Sequence, residues 1–341
     1  MKVLLYSPAF FPSVGGLEAV VAMLAEDLHA AGHRVALVTT TPHDGPEPFP
    51  FRVVRRPGPG RLLGLTRWCD VFFQANVSLK GLWPRLLVRR PWVVSHHGRY
   101  RRPDGSIAWQ DRLKRRLLRH AAASISVSRA VAEDLETPSV VVENSYDDTR
   151  FRPLQGVARD RELLFVGRLV SDKGCIDLIE ALARMRHRPA RLTVVGDGPE
   201  APSLRRESAR LGLEDRVRFV GQVTGEALVE AYNRHRVAVV PSRYNEPFGI
   251  VALEAMACGC LVVGSEGGGL VDAIGPGGWT FPNGDPEALA GILDAVLDGR
   301  LAPPDPDTVR EHLARHSRAA VASAYLDILD RTLEADRATP R

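Results

Sequence analysis

Residues 162–174 read ELLFVGRLVSDKG, and this stretch decides the fold. ELLFV is a short, almost unbroken apolar run, the pattern of a strand buried on both faces of a parallel sheet. Gly167 ends it, Arg168 and Lys173 sit in the turn that follows, and residues 173–187 carry a helical pattern. Downstream, strand patterns at 191–196, 216–221, 237–242 and 260–265 alternate with helical ones at 200–211, 225–234, 248–257 and 285–297. Upstream, strands are expected at 2–7, 34–40, 92–97, 124–128 and 139–143. Helices are expected at 17–31, near 75–90, at 107–121 and at 129–136. Strands alternating with helices predict parallel sheets covered on both faces.

A polar break at about 144–160, containing Pro153 and Gly156, divides the two series. The expectation is an α/β protein of two Rossmann-like domains, with parallel sheets facing across a deep cleft. The boundaries read from sequence are 1–155, 156–305 and a helical segment 306–341 that packs back toward the first domain. A chain of 341 residues is long for one core and suits this division. In open parallel sheets, ligands sit at the C-terminal ends of the strands, so the loops there are the candidates for function.

Composition narrows the classes. Apolar residues are 45% and charged residues 25% of the chain, ordinary values for a globular protein. No apolar run is long enough to span a bilayer. The opening MKVLLYSPAFFPSVGG reads as a buried strand and a loop broken by Pro8 and Pro12 rather than a targeting segment. A cytoplasmic protein is therefore expected, with the option of peripheral contact with a membrane. The four cysteines, Cys69, Cys175, Cys258 and Cys260, lack zinc-site spacing and read as small buried thiols. No metal site is expected, and no nucleic-acid partner.

Arginine supplies nearly all the positive charge; the only lysines are Lys2, Lys80, Lys114 and Lys173. Lys173 is thus the single lysine after residue 150. The stretch 85–119 holds 11 basic residues and 2 acidic ones. Within it, residues 107–119 form an amphipathic basic helix pattern. It suits either an anionic membrane surface or a solvated face of an arginine-rich protein.

Four segments carry candidate chemistry. Gly15 and Gly16 follow the first strand and open a helix, where the backbone can approach a ligand and amides favour an anion. A tight turn without function reads the same way. Arg168 and Lys173 offer a donor fork and a compact charge for phosphate oxygens, although a solvated helix start is the plain reading. In PSRYNEPFGIVALEAMACG (241–259), Glu246 precedes a helix and Glu254 lies inside it. One ligand across this helix start can meet both carboxylates and the amides of Phe248, Gly249 and Ile250. His96 and His97 end a strand and have no companion ligands for a metal.

Taken together, these segments resemble glycosyltransferase family 4, the retaining GT-B enzymes. GRLVSDKG matches the family's G-R-x4-K-G, and EPFGIVALEAMACG matches its E-x7-E block. VVGDGPE (194–200), RVRFVGQV (216–223) and VVGSEGGGLVDAI (262–274) match further segments in order, so that the likeness covers about residues 1–300. The resemblance implies a GT-B fold and transfer of a hexose-type sugar, with retention, from a nucleotide-diphosphate sugar, UDP- or GDP-linked. The acceptor hydroxyl would belong to a glycan, a lipid-linked molecule or a natural product.

It further implies that Arg168 and Lys173 hold the diphosphate, and that Glu246 with the 248–250 amides holds the sugar. Glu254 would accept from the ribose, Gly15 and Gly16 would line the diphosphate, and His97 would stand near the transferred sugar. Three departures are visible, one being a compact first domain with few candidate residues for a large acceptor pocket. Ser145 replaces a glycine in Asn144-Ser145-Tyr146-Asp147, and Asp272 stands where the family often has Glu. A GT-B epimerase and a non-catalytic nucleotide-sugar-binding protein are the alternatives. A dehydrogenase is disfavoured because Val195–Pro199 lacks the third glycine of a dinucleotide fingerprint.

Overall fold

The computed structural model describes residues 1–13, 15–101, 105–186 and 190–338. Val14 of the glycine turn, residues 102–104 of the basic stretch, the end of the helix expected to reach 187, and residues 339–341 lie outside them. The chain forms two compact units, Met1–Ser145 with Arg318–Arg341, and Tyr146–Ser317.

The first unit holds seven parallel strands: β1 (Lys2–Ser7), β2 (Arg34–Thr39), β3 (Arg52–Arg55), β4 (Val71–Ala75), β5 (Trp92–His96), β6 (Ala123–Ser126) and β7 (Val140–Val141). Their order is β3-β2-β1-β4-β5-β6-β7. The chain builds outward from β1 to one edge, returns, and builds to the other from β4. β1 pairs β2 in the register Val3 with Val35 and β4 in the register Val3 with Val71, so the central strands are buried on both faces. One face is covered by the helices Gly16–Ala30 and Arg318–Ala338. Val321, Tyr325, Leu329 and Leu333 lie four apart and form one apolar stripe packed with Val21, Leu24 and Leu28. Arg318 also bonds Asp27, with Nε–Oδ1 at 3.1 Å.

The second unit holds β8 (Arg161–Val166), β9 (Leu192–Val195), β10 (Val217–Gly221), β11 (His235–Val240), β12 (Leu261–Ser265) and β13 (Gly278–Phe281). Their order is β10-β9-β8-β11-β12-β13, again with every pair parallel. Both sheets are doubly wound, and each has a switch point beside its first strand.

Several boundaries differ from the sequence reading. The units divide at Ser145/Tyr146 rather than at 155, because Phe151 packs against Tyr232 and Leu154 N–H donates to Asn233 Oδ1 at 2.8 Å, both in the second unit. The second division falls at Ser317/Arg318 rather than 305. The segment expected as one helical tail is two helices. Pro306–Arg315 stays with the second unit, where His312 Nε2 lies 2.9 Å from the Ala273 carbonyl oxygen. Residues 75–90 are not one helix. The run VFFQA is the buried strand β4, Ser78 Oγ then caps the short helix Leu79–Leu82, and Pro84 lies in a 3-10 turn, Trp83–Leu86. Strands β3, β4 and β13 and the helix Pro59–Trp68 had no counterpart in the sequence reading.

Candidate functional site

In the second unit, β8 and β11 are neighbours whose crossovers leave in opposite directions. The loops at their C-terminal ends are therefore brought together. The first loop runs from Gly167 to Gly174 and the second from Pro241 to Gly249. Gly174 is left-handed, with φ +66°, and a Cβ there would stand 1.8 Å from the Pro241 carbonyl oxygen. Only glycine lets the two loops touch at this point. Arg243 N–H donates to the Asp172 carbonyl oxygen at 2.9 Å and joins the loops further.

This contact brings Lys173 onto Glu246. Lys173 Nζ lies 2.6 Å from Glu246 Oε1, and the carboxylate is buried. Ser242 Oγ donates to the same oxygen at 2.6 Å, and the Tyr244 hydroxyl donates to Oε2 at 2.6 Å. Burial, and then the nearby Glu246 charge, drive the Tyr244 hydroxyl well above its ordinary pKa, so it stays a donor. The Glu246 carbonyl accepts from Gly269 N–H at 2.7 Å, and Gly268 bridges the same residue. Glu246 is thus fixed through both its side chain and its backbone.

The loop has two further anchors that the sequence reading did not single out. Arg243 Nε donates to Asp177 Oδ2 at 2.7 Å, and Asp177 is buried on the helix Cys175–Arg184. Asn283 Nδ2 donates to the Ser242 carbonyl at 2.9 Å. Ser242, Tyr244 and Arg243 lie inside the segment that sequence singles out. Asp177 and Asn283 lie outside it and carry no motif signal.

Arg168 is exposed in the first loop, and its charge acts on the Tyr244 hydroxyl, opposing the burial there. Phe248 is buried against His316, with ring centroids 5.7 Å apart. Gly249 adopts φ +116° and caps the helix Ile250–Ala257. The amides of residues 248–250 make no backbone hydrogen bond among the described residues, as the first N–H groups of a helix have no partner within it. Glu254 sits in that helix, partly buried, and its Oε2 accepts from the Tyr232 hydroxyl at 3.2 Å. Burial pushes the Glu254 carboxyl up to about 7, against the Tyr232 hydrogen bond that opposes it. Asp272 stands in the short helix Leu270–Ile274.

The structure places the remaining candidates in the first unit. Gly15 is the extended N-cap of Gly16–Ala30, and a Cβ on it would meet Glu18 Oε2 at 2.4 Å. The Glu18 carboxylate therefore folds back over the helix start. His97 follows β5. Its N–H donates to Asn76 Oδ1 at 2.8 Å, and its Nε2 lies 2.8 Å from Ser95 Oγ. Nδ1 is buried without a partner among the described residues. Burial lowers the His97 pKa to about 4, so the ring is neutral. His96 differs: both its ring nitrogens are used, by Tyr100 at 2.8 Å and Ser124 at 2.9 Å. His97 alone of the pair has a spare ring nitrogen. Among the described residues, no three His, Cys, Asp or Glu side chains converge as a metal site, and no helix is long and apolar enough to cross a membrane.

Comparison with known proteins places both units in one group. Residues 147–318 match "Glycosyl transferases group 1", and residues 14–150 match "Glycosyltransferase Family 4". An uncharacterized glycosyltransferase of Methanocaldococcus jannaschii is 42% identical over 152 residues, 43% of this chain and 38% of the relative. D-inositol 3-phosphate glycosyltransferase 2 of Catenulispora acidiphila is 40% identical over 193 residues, 52% of this chain and 44% of the relative. The matched regions thus span about two fifths of the length of these curated relatives. Among solved structures, Anabaena HepE in complex with UDP superposes with a TM-score of 0.83 at 21% identity, over 97% of this chain and 100% of that one. Sucrose-phosphate synthase from Thermosynechococcus elongatus gives 0.82 at 25% identity, over 98% and 99%.

Proposed function

The chain belongs to the glycosyltransferases of group 1 and family 4, with the two Rossmann-like domains of the GT-B fold, and on that premise we propose that it transfers a hexose-type sugar from a nucleoside-diphosphate sugar to an acceptor hydroxyl, with retention. The second unit is the donor side and the first the acceptor side. The observation that carries this reading is the Lys173–Glu246 pair at 2.6 Å, built at the switch point of the second sheet.

The chemistry follows from the residues there. Arg168 and Lys173 place two cations at one loop, where they stabilise negative charge developing on a departing diphosphate. Lys173 must turn partly from Glu246 to do so. Ser242 and Tyr244 keep Glu246 hydrogen-bonded when it does. Glu246, and the 248–250 amides beside it, then accept from and donate to sugar hydroxyls. Glu254 takes the ribose hydroxyls, and His97, neutral and with a spare nitrogen, takes a hydroxyl of the transferred sugar. Gly15 and Gly16 leave room for the diphosphate. No carboxylate is required as nucleophile: a donor phosphate oxygen accepts the acceptor's proton as the new bond forms on the same face. UDP-sugars are the first donors to test, because HepE is known in complex with UDP and with UDP-glucose; GDP-sugars come next.

A thermal-shift series with UDP, GDP, ADP, TDP and their sugars, on the native chain and on Lys173→Ala, tests the donor site. Stabilisation by one nucleotide family, lost in the variant, is expected. Equal stabilisation of both proteins would remove Lys173 from the site. Retention is then read from the anomeric configuration of the product by NMR.

A further inference from the structure

A cavity of about 300 Å³ opens in the first unit. Arg85, Arg89, Arg90, Trp92 and His120 line it from one side, and Thr332 and Asp336 of the last helix from the other. Pro91 and Ala122, at the starts of β5 and β6, place it at the N-terminal edge of the sheet. His97 stands past the opposite end of β5, about 16 Å away along the strand. The cavity is therefore not part of the candidate site.

Its chemistry is that of an anion site. Three guanidinium groups face a single carboxylate, and none of the three forms an ion pair among the described residues; His120 Nε2 accepts from Arg119 Nε at 3.1 Å. Arg85 is held in place rather than neutralised. Its Nε donates to the Arg90 carbonyl at 3.2 Å, and its guanidinium lies 5.3 Å from the Trp92 ring centroid. Burial lowers its pKa, the sign of a partly desolvated cation with no acid beside it. Arg90 is fixed by the carbonyls of Thr66 and Arg67, at 3.3 and 2.6 Å. Arg89 is exposed at the rim. Trp92 is fully buried, and its indole N–H has no acceptor among the described residues. Cations without acid partners in one concave wall complement a phosphate.

The same turn explains where that phosphate comes from. Leu86 is 86% exposed and Leu87 67% exposed, and they sit between Arg85 and Arg89. Free metabolites give no reason for two adjacent leucines to stand in water. A lipid surface does: leucines enter the headgroup–acyl boundary while arginines take the headgroups. The basic helix Trp109–Leu118 also exposes Trp109 and Leu113, but two of its cations are already engaged. Lys114 is paired with Asp111 at 2.8 Å, and Arg115 bonds the carbonyls of Asp134 and Leu135.

We propose that the Arg85–Arg90 cavity binds the phosphate of an anionic membrane lipid, with Leu86 and Leu87 inserted in the lipid layer beside it. The site anchors the first unit to the surface by the edge of the sheet opposite His97. Contact thus leaves the strand ends that carry the candidate chemistry unobstructed.

Vesicle sedimentation of the full chain tests this, without donor or acceptor. Vesicles of phosphatidylcholine alone are compared with phosphatidylcholine mixed with phosphatidylglycerol. Binding is expected on the mixed vesicles only. Arg89→Gln should weaken it about fivefold and Leu86→Ser with Leu87→Ser about tenfold or more. All these side chains are exposed, so the variants keep the fold, and unchanged far-UV circular dichroism verifies that. Arg112→Gln with Arg116→Gln, on the helix Trp109–Leu118, should change binding less than Arg89→Gln alone. Four outcomes overturn the proposal: equal binding to neutral vesicles; loss confined to the Arg112 and Arg116 variant; undiminished binding by the leucine variant together with competition by millimolar inorganic phosphate, which would make it a free-anion site; or a change of oligomeric state in the leucine variant with lipid binding intact.

Discussion

Replacing Glu254 by Gln separates stability from function at the candidate site. The carboxyl titrates near 7 in the folded protein against an ordinary 4.5, because burial outweighs the Tyr232 hydrogen bond. Folding therefore favours the protonated acid. That favourable contribution is fully present below about pH 4.5 and is lost as pH rises through 7. The full displacement corresponds to about 3 kcal/mol, and residual solvent contact of the side chain reduces this to about 1–2 kcal/mol. Glutamine keeps an acceptor for the Tyr232 hydroxyl and never ionises. Denaturant unfolding of both proteins at pH 5 and pH 8 should show the variant gaining about 1–2 kcal/mol over the native chain as pH rises. In the same variant, affinity for the stabilising nucleotide should fall about tenfold, from loss of a charged acceptor. Parallel pH profiles would refute the reasoning, since they would mean the carboxyl is not desolvated. A destabilised variant at pH 8 would mean that an unseen cation holds the ionised form.

Other expectations follow from the same geometry. Burial holds His96, His97 and His235 neutral, with pKa values lowered to about 3, 4 and 4 from 6.5. Their contribution is complete above pH 6.5 and is lost as pH falls through those values, so unfolding midpoints should drop between pH 7 and pH 5. His97→Gln should flatten that drop. Gly174→Ala combines φ +66° with a Cβ 1.8 Å from a carbonyl oxygen. It should cost about 2–4 kcal/mol and abolish nucleotide stabilisation, whereas Gly156→Ala, with nothing near its Cβ, should show only the smaller cost of its own positive φ in the same melts. Arg243→Ala leaves the buried Asp177 carboxylate without its bidentate partner and should cost about 2 kcal/mol. Arg243→Lys should recover less than half of this, because one ammonium cannot match the fork.

How much of this was legible in the sequence depends on whether the physics was local. The ELLFV run followed by Gly167 announces a buried strand and its turn, because burial on both faces leaves a continuous apolar string. The string VFFQA at 71–75 has the same character, but no strand is expected there from sequence, because the helix-like spacing beyond Asn76 draws the reading to a helix near 75–90. Strands β3 and β13 each bury only one residue, too few to print a pattern. Arg168, Lys173, Glu246 and Glu254 were legible as types and spacings. Their partners were not. Whether Lys173 faces Glu246 depends on Gly174 fitting under Pro241, and that requires β8 and β11 to be neighbours although nearly seventy residues separate them. Asp177 and Asn283 reach the Pro241–Gly249 loop only through that same adjacency. The general rule is that the chemistry of a switch-point site is written in its loops, while its geometry is written in strand order. A sequence states the first directly and the second only through every strand pairing at once.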